Sequence, residues 1–312
     1  MIEHGGVANL ASYMTNDLSI STEDRILMFA NYVFDGSVWE MMMAFANGAA
    51  LVVPSEEIIR DEKQMESFLE KNGVTISYFP PAYFRQNSFQ LSKYVVTAGS
   101  KSSKDVVEKA VKSCDYINSY GPTEVTVCAT NWECKKGASV PDTIPIGKPI
   151  RNKRVYIMAG DHLCGMFMPG EICVGGKGIA RGYLNEPELT EQLFGWDIYT
   201  GTRLYRTGDM GRWLPDGTIE YLGRADEQVK IHGYRIEAGE IEKAVKDIEH
   251  ISDCVAVVKE DKDEEKYICA YYCADTNIKV EEVRNGLEKV LPEYMIPARM
   301  MQIENMPMTR NG

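Results

Sequence analysis

The feature that most constrains this chain is the alternation of short apolar runs with helical stretches between Ile26 and Asn118. Ile26–Ala30, Leu51–Val53, Val74–Tyr78, Tyr94–Thr97 and Tyr116–Asn118 read as strands. Between them, a helix runs through Ala46 and is closed by Asn47-Gly48. Another spans Glu56–Lys71, with Ile58, Ile59, Met65, Phe68 and Leu69 inward and Gly73 beyond its end. A third spans Ser103–Lys112, and Phe79-Pro80-Pro81 acts as a breaker. This rhythm predicts a parallel sheet carrying helices. Ligands of open α/β sheets gather beyond strand ends, which marks Thr97-Ala98-Gly99 and 118–124 for attention. Ahead of the sheet, residues 1–20 predict an amphipathic helix with Val7, Leu10, Tyr13 and Met14 on one side.

From Ile144 the pattern changes to strands alone, through Val155–Met158, Glu171–Val174 and the hairpin Met210–Leu214, Pro215-Asp216-Gly217, Thr218–Leu222. Glycines 175, 176, 178 and 182 lack the Gly-Lys-Ser/Thr ending of a phosphate loop, so they read as tight turns of a small β-barrel. Gly223-Arg224-Ala225-Asp226 is a polar junction, read as a hinge at Asp226. Beyond it, Gln228–Ile231 and Tyr234–Ile236 flank Gly233, where a missing side chain admits another backbone or a ligand. A helix at Gly239–Glu249, strands at Cys254–Val258 and Tyr267–Cys273, a helix at Val280–Val290 and a last strand make a small α+β unit. Lys259–Lys266 reads as a charged, solvated hairpin tip. The predicted parts are 1–142, a partial α/β subdomain; 143–225, a β-barrel-like subdomain; and 226–312, an α+β lid domain.

Composition narrows the function. Hydrophobic residues make up 44% and charged residues 26% of the 312, as in ordinary globular domains. The formal charge of −12 argues against nucleic acid or an anionic membrane as the main partner, because those are bound by clustered Lys and Arg. The longest apolar runs, such as Ala49–Val53, are too short to span a bilayer and the start has no signal-peptide pattern, so the expectation is cytoplasmic. Eight scattered cysteines with no C-x-x-C pair read as reduced thiols, mostly buried.

Several residues allow two readings on their own. Asp35, one or two positions before the predicted helix, is either its cap or a pocket carboxylate. Tyr120-Gly121-Pro122 is either a turn beside a packed aromatic or part of a site. In Thr207-Gly208-Asp209 the carboxylate sits beside a predicted glycine turn.

Taken in order, FDGSVWE at 34–40, YGPTE at 120–124, TGD at 207–209, GRAD at 223–226 and QVKIHGYRIEAGEIE at 228–242 resemble the core motifs of adenylate-forming enzymes, specifically the amino-acid adenylation domains of nonribosomal peptide synthetases. The resemblance covers nearly the whole chain. It implies an α/β large domain, present in part, of a parallel sheet and a small β-barrel subdomain, followed by a small α+β C-terminal domain.

The activity implied is ATP-dependent adenylation of an amino acid and its transfer to the phosphopantetheine thiol of a carrier protein. Asp35 would pair with the substrate ammonium, and a charge-assisted bond suits that task. Gly36, Trp39, Tyr78, Val96, Ala98, Ser119, Val127 and Cys128 would line the rest of the pocket. Apart from Asp35 this lining is apolar or weakly polar, with Gly36 and Ala98 leaving room. That favours a bulky hydrophobic amino acid, aromatic first and Leu or Met second.

For the nucleotide, Tyr120 would stack on adenine with Gly121 beside it, and Thr123 would contact the α-phosphate. Glu124 would bind Mg²⁺, Asp209 would hold the ribose, and Tyr221 and Arg224 would lie near. The segment about Gly233 would line a pantetheine tunnel. Carrier and condensation domains are the implied partners. A glycine-rich phosphate loop would precede Met1 and a catalytic lysine would follow Gly312, so the chain reads as truncated at both ends, with its own activity impaired. The alternatives are an acyl- or aryl-CoA ligase of the same fold, against which Asp35 argues, and a non-catalytic fragment or interaction module.

Overall fold

The structure, a computed structural model, describes residues 1–312 apart from 88, 226–228, 232–233, 237, 261–265, 304–305 and 307–312. The chain divides into two compact units, Met1–Ala225 and Asp226–Gly312.

Helix α1 (His4–Asp17) opens the first unit. Seven strands then form one sheet: β1 (Arg25–Leu27), β2 (Ala50–Val52), β3 (Ile76–Phe79), β4 (Tyr94–Thr97), β5 (Asp115–Tyr120), β6 (Thr130–Cys134) and β7 (Lys148–Pro149). Their order is β2-β1-β3-β4-β5-β6-β7. The first five run parallel and β6 and β7 antiparallel. Between them lie α2 (Asp35–Phe45), α3 (Glu56–Arg60), α4 (Glu62–Lys71), α5 (Pro81–Gln86) and α6 (Lys104–Ala110).

Both faces of this sheet are covered, which is why all four residues of β4 are buried. Tyr94 and Val96 pack with Leu10, Met14, Trp39 and Met43 from α1 and α2. Val95, between them, faces the opposite way and packs with Met65, Leu69, Phe84 and Val107 from α4, α5 and α6. Each fully buried Leu, Val, Phe or Met side chain contributes about 1.5–3 kcal/mol relative to exposure.

Two local expectations are corrected. The helix predicted over Glu56–Lys71 is broken at Asp61, whose extended backbone ends α3 and whose carboxylate accepts from the Gln64 backbone N–H at 3.0 Å. Asp-x-x-Gln is a helix-start signal inside an otherwise continuous pattern. Pro80-Pro81, read as a breaker, starts α5 with Pro81 in its first position, where the missing N–H has no intrahelical partner to lose.

The second sheet of this unit comprises β8 (Lys153–Ala159), β9 (His162–Leu163), β10 (Gly170–Gly176), β11 (Phe194–Trp196), β12 (Arg203–Trp213) and β13 (Ile219–Arg224), with α7 (Pro187–Leu193) before β11. It is antiparallel, in the order β11-β12-β10-β8-β9 with β13 also on β12, and curls into a half-barrel. Tyr120, Val125 and Ala129 from the end of β5 and its following loop share a core with Val155, Ile172, Val174 and Tyr205. The apolar end of β5 therefore ties the two sheets together.

The second unit pairs β14 (Val229–Ile231) with β15 (Tyr234–Ile236). It then runs α8 (Ala238–Lys246), β16 (Ile251–Glu260), β17 (Lys266–Ala274), α9 (Val280–Leu287) and β18 (Arg299–Gln302). Strands β16 and β17 are antiparallel and β18 joins β17 in parallel. Ile241 and Val245 of α8 and Val283 and Leu287 of α9 form its core with Cys254, Ala270 and Tyr272. All eight cysteines of the chain are free thiols. Among the described residues, no helix is long and apolar enough to cross a membrane.

Candidate functional site

The first cluster lies on the face of the seven-stranded sheet that α1 and α2 cover. Tyr78 pairs in register with Val96, and Val96 with Ile117. A strand's side chains alternate, so Tyr78, Val96 and Ser119 share one face at the ends of three neighbouring strands. Ala98 follows directly after β4.

Above this face α2 begins. Asp35 is its first residue rather than a position before it, and the cap, Phe34, makes no side-chain capping bond. A carboxylate in the first turn of a helix is favoured by the macrodipole. One turn on, Trp39 is fully buried, its ring centroid 5.5 Å from that of Tyr78. A Cβ added at Gly36 would sit 3.2 Å from Tyr78 Cε1. The space expected to be vacant at Gly36 is thus taken by the Tyr78 ring. Burial, with the nearby Asp35 charge, raises the Tyr78 phenol far above its usual range.

Cys128 and Val127 complete this face, packed with Trp39, Val96 and Ile117. They lie on a constrained loop: Thr126 and Val127 both have φ of 62°, a left-handed conformation that a β-branched residue avoids at a cost of roughly 1–3 kcal/mol. Three contacts hold the loop. Thr126 Oγ1 donates to Gly178 O at 2.6 Å, the Ala129 N–H donates to Tyr120 O at 2.7 Å, and buried Lys153 donates to Val125 O. Burial lowers the Lys153 ammonium to about 8. Gly121 is required by the same loop, since a Cβ there would lie 2.6 Å from Val127 O and 2.9 Å from Cys128 Cα. Burial lifts the Cys128 thiol to about 11.

The second cluster begins where β5 ends. Thr207-Gly208-Asp209, expected at a turn, lies inside β12. Between the pairs Cys173↔Arg206 and Glu171↔Met210 only one residue of β10 opposes these three, so β12 bulges there, with Gly208 at φ 70°. Bulges re-aim side chains. Here Asp209 is turned inward to 1% exposure. Its Oδ2 accepts from the Tyr120 hydroxyl at 2.6 Å, and its Oδ1 from Tyr221 OH at 3.3 Å and Arg224 Nη1 at 3.1 Å. The register of β13 opposite Asp209 places Arg224 directly across from it. Burial, then the adjacent carboxylate, pushes the Tyr120 phenol well above its ordinary value.

Thr123 and Glu124 form a short 3-10 turn immediately after Tyr120-Gly121-Pro122. The Thr123 side chain is exposed, whereas Glu124 is buried and its Oε1 accepts from Tyr183 OH at 2.6 Å. A single hard carboxylate fits Mg²⁺, which is commonly held by one or two carboxylates together with a substrate's phosphates. Among the described residues no group of three or more His, Cys, Asp or Glu is placed to hold a metal alone.

The expected hinge residue Asp226 and the tunnel residue Gly233 lie outside the described residues. Three positions were not singled out from sequence. Glu40, inside the apolar stripe of α2, is fully buried and accepts from the Phe29 and Ala30 N–H groups at 3.1 Å each. Its signal was a lone carboxylate on a buried helix face. Tyr183 gave no signal because its partner Glu124 lies 59 positions away, and Asn131 gave none because it meets Ser119 only across a strand pair and Tyr13 only through the packing of α1.

Two family matches cover most of the chain: AMP-binding enzyme over residues 1–184 and AMP-binding enzyme C-terminal domain over residues 240–312. The chain belongs to the AMP-binding enzyme family. Within it, the chain is 42% identical to tyrocidine synthase 1 of Brevibacillus parabrevis over 316 aligned positions, covering 100% of this chain and 29% of that relative. The chain therefore spans less than a third of that protein. Among solved structures, an artificially fused adenylation–PCP di-domain from Klebsiella oxytoca superposes with TM-score 0.82 at 25% identity, over 96% of this chain and 57% of that one. A four-domain nonribosomal peptide synthetase, solved in holo form with AMP and glycine, gives TM-score 0.65 at 29% identity, over 98% and 24%.

Proposed function

We propose that this chain supplies the amino-acid and nucleotide sites of a protein that activates a bulky hydrophobic amino acid, aromatic first and Leu or Met second, as its adenylate at the expense of ATP. That protein then passes the aminoacyl group to the phosphopantetheine thiol of a carrier protein. The observation that carries this reading is one strand, β5, with a carboxylate-headed apolar cluster beside Ser119 and the Asp209 cluster at Tyr120.

In the first step a substrate carboxylate oxygen attacks the α-phosphorus of ATP, the bond to the β-phosphate oxygen breaks, and pyrophosphate leaves. In the second, a thiol attacks the acyl carbon and AMP leaves. Two anions meet in the first step, so electrostatics dominates its barrier. Asp35 anchors the substrate ammonium, and Trp39, Tyr78, Val96, Ala98, Val127 and Cys128 enclose its side chain. Asp209 accepts from the ribose hydroxyls, Tyr120 and Tyr221 flank the base, and the exposed Thr123 hydroxyl donates to the α-phosphate. Mg²⁺ bound with ATP at Glu124 would neutralise phosphate charge.

The names of the relatives support the reading: tyrocidine synthase 1, an artificially fused adenylation–PCP di-domain, and a nonribosomal peptide synthetase bound to AMP and glycine. The test is amino-acid-dependent exchange of labelled pyrophosphate into ATP across the proteinogenic set. Exchange strongest with Phe, Trp or Tyr is expected, and exchange only with fatty or aryl acids would refute the assignment.

A further inference from the structure

The lower side of the amino-acid cluster is organised by a residue outside the expected lining. Asn131 on β6 lies directly opposite Ser119 on β5, so the two side chains share the face that α1 and α2 cover. Its carboxamide oxygen accepts from the Ser119 hydroxyl, and also from the Cys128 thiol at 3.2 Å. The Cys128 thiol has a second acceptor in Thr130 O at 3.5 Å. The Asn131 amide donates to Tyr13 OH of α1 at 2.7 Å.

We infer that Asn131 is a positioning residue for substrate selection: by accepting from Ser119 and Cys128 together, it withholds both protons from the substrate and makes a polar-looking stretch of lining behave as apolar. The inference rests on the amino-acid reading above and deepens it. A serine hydroxyl has one proton and a thiol has one, so each proton held by Asn131 is unavailable to a ligand. A substrate side chain carrying an acceptor would then lose its bond to water and gain no donor in return, which disfavours it against an apolar isostere. Ser119 and Cys128 alone would lead one to expect the opposite. Tyr13 fixes the other end of the carboxamide, so the device links α1 to the sheet.

The probe pair is L-phenylalanine and 3-(4-pyridyl)-L-alanine, which share a shape and differ by one ring nitrogen that only accepts. Binding of each to the full chain is measured calorimetrically at pH 8. The wild type is expected to prefer phenylalanine. Asn131→Ala frees the Ser119 proton, while Thr130 O still accepts from Cys128, and should shift the preference toward the pyridyl compound by about tenfold, the order of one net hydrogen bond. Adding Ser119→Ala and Cys128→Ala should abolish that gain. Asn131→Asp, which keeps an acceptor in place, should retain the wild-type preference. Should the alanine variant fail to fold, Asn131→Leu preserves bulk without an acceptor and carries the same expectation. A ratio unchanged in Asn131→Ala or Asn131→Leu, or a gain that survives removal of both Ser119 and Cys128 donors, overturns the inference and leaves the amino-acid reading standing. A wild-type chain that binds neither compound nor any other amino acid overturns that reading, and the inference with it.

Discussion

Tyr120 and Asp209, 89 positions apart, share a 2.6 Å hydrogen bond that joins the end of the parallel sheet to the bulge of the antiparallel one. The bond is buried and its acceptor is a carboxylate, so it belongs to the stronger class, about 1.5–3 kcal/mol. Tyr120→Phe should lower the unfolding free energy by roughly that amount. Urea denaturation followed by tryptophan fluorescence measures it, and an unchanged midpoint would mean that the bond contributes nothing in solution.

Asp209 has a second task in the proposed chemistry. Asp209→Asn keeps the shape and one acceptor oxygen but removes the charge facing Arg224, a partner with 10% side-chain exposure. Nucleotide affinity is expected to fall by at least tenfold, about 1.4 kcal/mol, while amino-acid affinity measured without nucleotide stays within about twofold. Equal losses for the two ligands would point to a general loosening of the fold instead of ribose contact.

At the proposed amino-acid cluster, Gly36 and Tyr78 occupy one volume between them. Gly36→Ala places a methyl 3.2 Å from the Tyr78 ring and 3.5 Å from Ala30 Cβ, so the ring must shift to admit it. Affinity for aromatic amino acids should fall by about 1–3 kcal/mol, the scale of overpacking. Gly36→Ala combined with Tyr78→Thr should recover it. Competition binding with phenylalanine decides the matter: a double variant no better than the single one would show that the two residues do not compete for space.

Glu40 makes stability pH-dependent. Burial outweighs its two backbone donors and raises the carboxyl from 4.5 to about 8. Because the folded-state value lies above the unfolded one, the folded chain holds this proton more tightly. The resulting stabilisation is complete below about pH 4.5 and is lost as pH rises through about 8. Glu40→Gln cannot ionise. The variant should therefore gain on the wild type between pH 5 and 8, by at most about 1.4 kcal/mol per pH unit. Unfolding free energies at pH 5, 6.5 and 8 supply the test, and parallel curves would place the Glu40 proton elsewhere.

The strand and helix pattern was legible where one physical signal dominated. The positions of β3, β4 and β5 follow from apolar runs that must be buried on both faces, and α8 from its periodicity. Misreadings arose where two signals overlapped, as at Asp61, which caps a new helix in a run that is helical on either side, and at Gly208, where a bulge resembles a turn. Asp35, Trp39, Tyr120 and Asp209 were legible because they sit in ordered motifs. Asn131 was not, since its importance comes from facing Ser119 across a strand pair and Tyr13 across 118 positions. Glu40 was in plain view inside FDGSVWE, yet only burial shows that its carboxyl binds the preceding loop.

The central claim is that an amino acid binds with its ammonium at Asp35 while ATP binds at Asp209. It is tested most directly by amino-acid-dependent pyrophosphate exchange in the protein that carries this chain and in its Asp35→Ala variant, with ATP affinity measured on both. The account predicts exchange with a bulky hydrophobic amino acid that falls at least a hundredfold in the variant, about 2.7 kcal/mol, with ATP affinity nearly unchanged. Equal exchange in the two proteins would contradict it.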